Sequence, residues 1–376
     1  MTSGEKHEPA AARKIRYAVV GLGYISQIAV LPAFAHAKKN SDLTAIVSGD
    51  ETKLQKLARK YKVPNTYSYE QYDECLKSGL IDAVYIALPN NMHSAYAQAA
   101  AKAGIHVLCE KPMAVNEEEC KAMIDVAEHA KVKLMIAYRL HFEKGNLSAI
   151  ATIQKGTIGD PRIFSSNFCQ QVTEGNSRLD GELAGGPLYD IGIYCINAAR
   201  NLFQAEPSEV FAFAASSNDK RFAEVPEMSS ALLRFPDDRL ASFTCSFGAT
   251  DRSTFEVIGT KGVLKMDPAY EMVGDLKSEL TVGQRRTKAR FAKRDQFGPE
   301  LAYFSDCVIN NKEPEPGGLE GLADVRVINA LLESQNSGRV VKVAPVDVGK
   351  RPDMDQEIHK PAVAKPKLFK AAAPSK

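Results

Sequence analysis

The segment Gly185-Gly186-Pro187-Leu188-Tyr189-Asp190-Ile191-Gly192-Ile193-Tyr194-Cys195-Ile196-Asn197 sets an acid and a phenol four residues apart, with an amide three further on. Read as a helix, it puts Asp190, Tyr194 and Asn197 on one face, just after a Gly-Gly-Pro turn. Polar groups aligned this way among apolar neighbours predict a site rather than a solvated face. A phenol can serve as general base, and as acid in reverse, when a nearby cation favours its ionised form; unassisted it titrates near ~10. A carboxylate beside it can orient that cation and hydrogen-bond a substrate. Asn197 could bind a further hydroxyl or be a buried structural amide, and the sequence leaves both open.

Lys111 is the candidate cation. Glu110-Lys111-Pro112 closes an apolar run, and a residue before proline is held extended, so its side chain is aimed with little freedom. The turn Gly21-Leu22-Gly23-Tyr24-Ile25-Ser26 follows another apolar run and opens a helical stretch. That is the context in which a glycine turn cradles a pyrophosphate. Ser26 replaces the third glycine and still allows fairly close helix–strand packing. Past the next strand, Val47 leads to Ser48-Gly49-Asp50, with Lys53 soon after. Ser48 and Lys53 suit a 2′-phosphate, which favours NADP; Asp50 dissents, because an acid there can hold ribose hydroxyls. Leu88-Pro89-Asn90-Asn91 closes a third strand, where a backbone turn could pass under a nicotinamide ribose.

The elements that must position these groups follow from periodicity. Strands are predicted at 15–20, 43–47, 81–88, 105–109 and 133–137, with helices at 52–61, 69–77, 94–103 and 117–130. Apolar strands alternating with helices mark a parallel sheet buried on both faces. After Pro161 the predicted strands lie at 162–168, 210–215, 230–235, 240–247 and 253–258. In the fourth of them Ala241, Phe243, Cys245 and Phe247 alternate with Ser242, Thr244 and Ser246, the pattern of an antiparallel sheet with unlike faces. A last helix is expected near 324–333. The resulting division is a flexible arm at 1–14, a dinucleotide-binding domain at 15–140, a substrate and dimerisation domain at 141–345, and a disordered or loosely docked tail at 346–376.

A chain of 376 residues exceeds one ordinary core, so two domains are expected. A net charge of +2, with no basic stripe interleaved with aromatics, gives no reason to propose nucleic acid. The sequence has no apolar run of membrane-spanning length, and residues 1–14 show neither a signal-peptide core nor a twin arginine, so the expected location is cytoplasmic. The seven cysteines are scattered with no CxxC pair, and the histidines have no metal-ligand spacing. Buried free thiols and no metal are the expectation.

Together these residues resemble the glucose–fructose oxidoreductase/inositol dehydrogenase (Gfo/Idh/MocA) family from about Ile15 to Val343. The marks are Gly-Leu-Gly at 21–23, Glu-Lys-Pro at 110–112 and Gly-Gly-Pro-Leu-Tyr-Asp-Ile-Gly-Ile-Tyr at 185–194. Tyrosine at 194, where many members carry histidine, resembles the glucose–fructose and aldose–aldose oxidoreductase branch. So do Val47-Ser48-Gly49, Cys109-Glu110-Lys111-Pro112-Met113, Ala137-Tyr138-Arg139 and Glu182-Leu183-Ala184-Gly185-Gly186. Two departures stand out: Pro187 in place of a third glycine, and no tryptophan beside Arg178.

The resemblance implies an α/β chain: an N-terminal Rossmann (doubly wound parallel sheet) domain, then an α+β domain with a large, mostly antiparallel open-faced sheet that commonly forms a dimer. It implies Lys111, Asp190 and Tyr194 as the catalytic set, with Arg178 joining them in binding substrate. Cofactor contacts are implied at Gly21, Gly23, Tyr24, Ile25, Ser48, Lys53, Leu88, Asn90, His93, Glu110, Lys111 and Arg139. The implied reaction uses a tightly bound NADP(H): an aldose is oxidised at C1 to the lactone, and a second sugar is reduced to a polyol. An ordinary NADP-dependent aldose dehydrogenase, an anhydro-ketose reductase and a non-catalytic NADP(H)-binding sensor are the alternatives. Tyr194 in place of histidine disfavours an inositol dehydrogenase.

Overall fold

The computed structural model describes residues 13–375. Nearly all of the expected N-terminal arm lies outside the described residues. Six strands, β1 Ile15–Val20, β2 Ser41–Val47, β3 Asn65–Tyr67, β4 Ala83–Ile86, β5 His106–Glu110 and β6 Leu134–Ala137, pair in parallel. Their order is β3-β2-β1-β4-β5-β6. It is the doubly wound order, with its topological switch between β1 and β4. The core strands are continuously apolar because both faces are covered; β4 is buried at every position.

The helices begin where their caps stand. Asp50 accepts the backbone N–H of Lys53 and starts Glu51–Tyr61, and Asn116 does the same for Glu119 at the head of Glu117–His129. Missing from the sequence reading is β3, whose three polar-edged residues carry no alternation. The helix expected from residue 69 accordingly begins later, at Tyr72.

The second sheet has nine strands: β7 Pro161–Cys169, β8 Glu209–Ala215, β9 Met228–Phe235, β10 Arg239–Ser246, β11 Arg252–Gly259, β12 Gly262–Met266, β13 Leu276–Val282, β14 Arg285–Phe291 and β15 Val341–Lys342. The order is β14-β13-β12-β11-β7-β10-β9-β8-β15, antiparallel throughout except that β10 runs parallel to β7. On β10, Ala241, Phe243 and Cys245 are buried, as the alternation predicts. β14 is a run of exposed, mostly charged residues, which is why pattern alone does not find it. Helices Ile193–Phe203 and Gly318–Ser337 cover the inner face of this sheet. The second runs well beyond the ten residues expected. All seven cysteines are buried, and no described helix is long and apolar enough to cross a membrane.

From Val346 onward the structure departs from a disordered or loosely docked tail. Arg351 pairs with Glu206 at 2.6 Å, and Gln356 donates to the backbone carbonyl of Glu315 at 3.0 Å. Phe369 docks on the first domain and Pro374 on the second. Composition misleads here because the segment is held by polar anchors and one aromatic, not by an apolar face.

Candidate active site

The glycine turn after β1 is shaped for close approach. Gly21 has φ +91°, and a Cβ there would lie 2.4 Å from the carbonyl oxygen of Ala87, so only glycine fits. A Cβ on Gly23 would meet nothing within 4 Å, which leaves open space beside the first turn of the following helix. Ser26, in place of the third glycine, donates its hydroxyl to the Gly21 carbonyl at 2.6 Å and locks the turn. Unpaired N–H groups of a helix's first turn facing open space are what a dinucleotide pyrophosphate requires. The residues present therefore fit a nicotinamide dinucleotide.

At the switch point a cleft of about 280 Å³ opens between the two sheets. It is lined by Tyr24, Ile25, Leu88, Asn90, Glu110, Lys111, Arg139, Arg178, Asp190 and Tyr194, among others. Asp190 arrives on a π-helical turn, Leu188–Gly192, that feeds the helix carrying Tyr194. Pro187 stands at the entry of that turn with φ −68°, a position where a missing N–H costs no hydrogen bond. Gly185 before it abuts the Arg178 carbonyl: a Cβ would fall 2.4 Å from that oxygen. Side-chain amides of Asn90 and Asn91 donate to the carbonyls of Ala184 and Glu182, both at 2.9 Å, and tie the β4 loop to this turn.

Lys111, after β5 and before a cis proline, reaches across to Asp190. Its Nζ donates to the Asp190 backbone carbonyl at 2.7 Å and to Oδ1 at 3.2 Å. Arg178 Nε takes the other oxygen, Oδ2, at 2.5 Å. Burial alone would push the Asp190 carboxyl up, but the Arg178 guanidinium and Lys111 ammonium outweigh it and hold the group at about 2. For Lys111, burial favours the neutral amine, yet the neighbouring Tyr194, Asp190 and Glu110 keep it above the usual lysine range. Burial raises Glu110, which accepts the Tyr85 hydroxyl at 2.9 Å.

Tyr194 lies against two cations. Lys111 Nζ and Arg139 Cζ each stand 4.9 Å from the ring centroid. Phe168 packs edge-on to the ring at 5.5 Å. The phenol oxygen, however, is bonded by Arg139, whose Nε donates to it at 3.1 Å. Arg139 also donates to the Tyr270 carbonyl at 2.6 Å and to Gln296. Arg139, implied as a cofactor contact, lines the cleft and at the same time holds the phenol and this bracket with its guanidinium.

His93, also implied as a cofactor contact, is bound within its own domain. Its ring is buried with Nδ1 2.8 Å from the Pro112 carbonyl and Nε2 3.0 Å from that of Leu88, so it joins two strand-end loops and turns neither nitrogen to the cleft. Ser48 is buried and its hydroxyl accepts the Asp50 N–H at 3.2 Å; Lys53 is half-buried on the helix that follows. Asn197 resolves as a structural amide. It donates to Glu320 at 2.8 Å and Asp324 at 2.9 Å and meets His141 Nε2 at 2.8 Å. The π turn brings Asp190 and the first turn of the following helix brings Tyr194 to the cleft, while the next turn delivers Asn197 to the interior. Phe168, Tyr270 and residues 373–375 also line the cleft, and no motif in the sequence marks them. Among the described residues no cluster of His, Cys, Asp or Glu is arranged to hold a metal ion.

A glycine turn at the head of a doubly wound sheet, facing a lysine, acid and phenol at its switch point, defines a nicotinamide-dependent oxidoreductase. Residues 15–138 match the Gfo/Idh/MocA family described as "Oxidoreductase family, NAD-binding Rossmann fold", and residues 146–265 match the GFO/IDH/MocA C-terminal domain. The chain belongs to this family. It is 32% identical over 346 residues to a D-xylose 1-dehydrogenase [NADP(+)] of Haloarcula marismortui, covering 90% of this chain and 96% of that one. It is 30% identical to D-xylose 1-dehydrogenase (NADP(+)) 2 of Haloferax volcanii, covering 87% and 99%. Among solved structures, the aldose–aldose oxidoreductase of Caulobacter crescentus, complexed with glycerol, is 36% identical with a TM-score of 0.84, covering 88% of this chain and 100% of that one.

Proposed function

We propose that this chain is an NADP(H)-dependent sugar oxidoreductase that keeps its dinucleotide bound. It oxidises an aldose at C1 to the lactone and reduces a second sugar, aldose or ketose, to a polyol. The observation that carries the reading is the Lys111–Asp190–Tyr194 cluster at the mouth of the glycine-turn crevice. The 36% identical aldose–aldose oxidoreductase and the two xylose 1-dehydrogenases support a sugar substrate attacked at C1. The preference for NADP rests on Ser48 and Lys53 at the tip of β2; the dissent of Asp50 is weakened because its Oδ1 caps the Lys53 N–H.

When bound, the nicotinamide supplies the two-electron exchange with the sugar carbon. Tyr194 takes the proton from the C1 hydroxyl of the first sugar and returns one to the carbonyl oxygen of the second. Arg139 and Lys111 stabilise the anionic oxygen that accepts the proton, in a cleft walled by Phe168 and Tyr270. Asp190, ionised throughout the working range, accepts a sugar hydroxyl while holding Lys111 and Arg178 in place.

The test is to add glucose alone to the purified protein, with no added nucleotide, and follow the near-ultraviolet band of reduced nicotinamide. A single-turnover rise that a second sugar discharges supports the paired reaction. Turnover that requires added NADP+ favours the ordinary dehydrogenase, the second reading, for which the two xylose dehydrogenases speak. Failure of every aldose to reduce the nucleotide leaves the non-catalytic sensor. A second copy of the chain is proposed to cover the open face of the nine-stranded sheet, where Ile163, Phe213, Leu232 and Leu240 are 45–66% exposed.

A further inference from the structure

Residues 367–375 cross the opening of the dinucleotide crevice from one domain to the other. The crossing begins on the helix after β2, where Lys60 donates to the Lys367 carbonyl at 3.1 Å and the Phe369 ring sits 5.4 Å from Lys56 Nζ and 5.8 Å from Lys60 Nζ. Phe369 then makes a reciprocal pair with buried Gln27, one turn beyond the glycine loop: its N–H donates to Oε1 at 2.8 Å, and Gln27 Nε2 donates to its carbonyl at 2.9 Å. Lys370, with φ 46°, turns the chain over the tip of β2. Its Nζ lies 3.2 Å from Asp50 Oδ2 and 3.4 Å from Thr52 Oγ1. Ala373, Pro374 and Ser375 reach the cleft beside Tyr24 and Asp190. There the Pro374 carbonyl accepts the Thr173 N–H at 2.8 Å, and Ser375 bridges Val172.

We propose that residues 367–375 are a clasp over the bound dinucleotide, in which Lys370 binds the 2′-phosphate of NADP and Ala373–Ser375 wall the nicotinamide end. The proposal rests on reading the crevice as an NADP site. In a doubly wound sheet the adenosine ribose lies at the tip of β2, where Lys370 stands. Asp50 at that tip would repel a 2′-phosphate; Lys370 offsets its charge and brings a donor of its own. The Lys370–Asp50 pair is 60% exposed on the lysine side, so it contributes little to folding and can exchange partner for a doubly charged phosphate at small cost. The two anchors, an amide pair on Gln27 and a backbone hydrogen bond from Thr173, lie on opposite walls, so a nucleotide beneath the strand leaves only when one of them lets go. All of the Caulobacter chain is matched by 88% of this one, so this chain carries segments without a counterpart there.

The test uses nicotinamide fluorescence on the full chain without sugar. Lys370→Met is expected to weaken NADPH binding about tenfold while leaving NADH binding unchanged, the size of one charge-assisted hydrogen bond. A chain ending at residue 366 is expected to release both nucleotides at least about tenfold faster when chased with excess oxidised cofactor. Equal or absent effects of Lys370→Met on the two nucleotides, or an unchanged release rate on truncation, overturn the clasp. If the shortened chain does not fold, the Lys370→Met comparison decides. A full chain that binds NADPH but turns over no sugar removes the proposed reaction and leaves the clasp standing; one that binds neither nucleotide removes both.

Discussion

Tyr194 has two cations close to its ring and one donor, Arg139 Nε, on its oxygen. Losing the hydroxyl should remove the proton carrier without touching the glycine turn. Tyr194→Phe is therefore expected to lower kcat by ~10²–10⁴ with NADPH affinity unchanged, measured by steady-state kinetics beside nucleotide titration. Arg139 offers a sharper distinction, because a cofactor ligand and a phenol partner fail differently. Arg139→Met should cut kcat by roughly 10²-fold, the scale of losing one preorganised charge-stabilising donor, and leave the Kd for NADPH near its starting value. A variant whose loss falls wholly in nucleotide affinity would return Arg139 to the cofactor.

Between elements, the helix bearing Tyr194 is pinned from behind by a buried polar network. Arg200 reaches Glu206, Glu320 and Asp324, and Asn197 shares the last two while meeting His141, which pairs with Glu315 at 2.9 Å. Burial would favour neutral His141, but Glu315 overrides it and raises the imidazole from 6.5 to about 9. A raised folded-state value means the stabilisation is complete below the unfolded value and fades as pH rises through about 9. Its size is on the order of 3 kcal/mol. Urea midpoints should therefore fall between neutral pH and pH 9, and His141→Gln should flatten that fall. The network is held together by residues far apart in sequence, so breaking one partner leaves buried charge uncompensated.

At the scale of the whole molecule, the nine-stranded sheet has a covered face and a bare one. Ile163, Leu232 and Leu240 lie on neighbouring strands, with Ile163 and Leu240 directly paired, and Phe213 extends the patch onto β8. Leu232→Asp is expected to convert a dimer to monomer in sedimentation velocity, with cofactor binding retained. A wild-type chain that sediments as a monomer would end the dimer reading.

Legibility tracked local physics. β1, β4 and β5, apolar and bounded by turns, were visible, whereas the caps Asp50 and Asn116 emerged only with the structure. Strands β13 and β14 were not, because largely polar ribbons carry no hydrophobic period, and neither were helices Lys144–Gln154 and Phe297–Ile309. Among the candidate site residues, Lys111, Asp190 and Tyr194 were legible because proline, glycine and helical spacing constrain them locally. The partners that His93 and Arg139 take, the Pro112 carbonyl and the Tyr194 oxygen, were not legible because they come from elsewhere in the chain.

By itself, then, the sequence determined the doubly wound unit, the alternating second sheet and the residue types of a candidate site at the head of the first sheet. Those depend on side-chain period, turn chemistry and spacing, all of which act over a few residues. Only the tertiary structure decided that Arg139 rather than Lys111 bonds the phenol oxygen, that Asn197 turns inward, and that residues 367–375 close over the crevice. Each of those depends on which distant groups meet once the two sheets are packed together, and no local period encodes that.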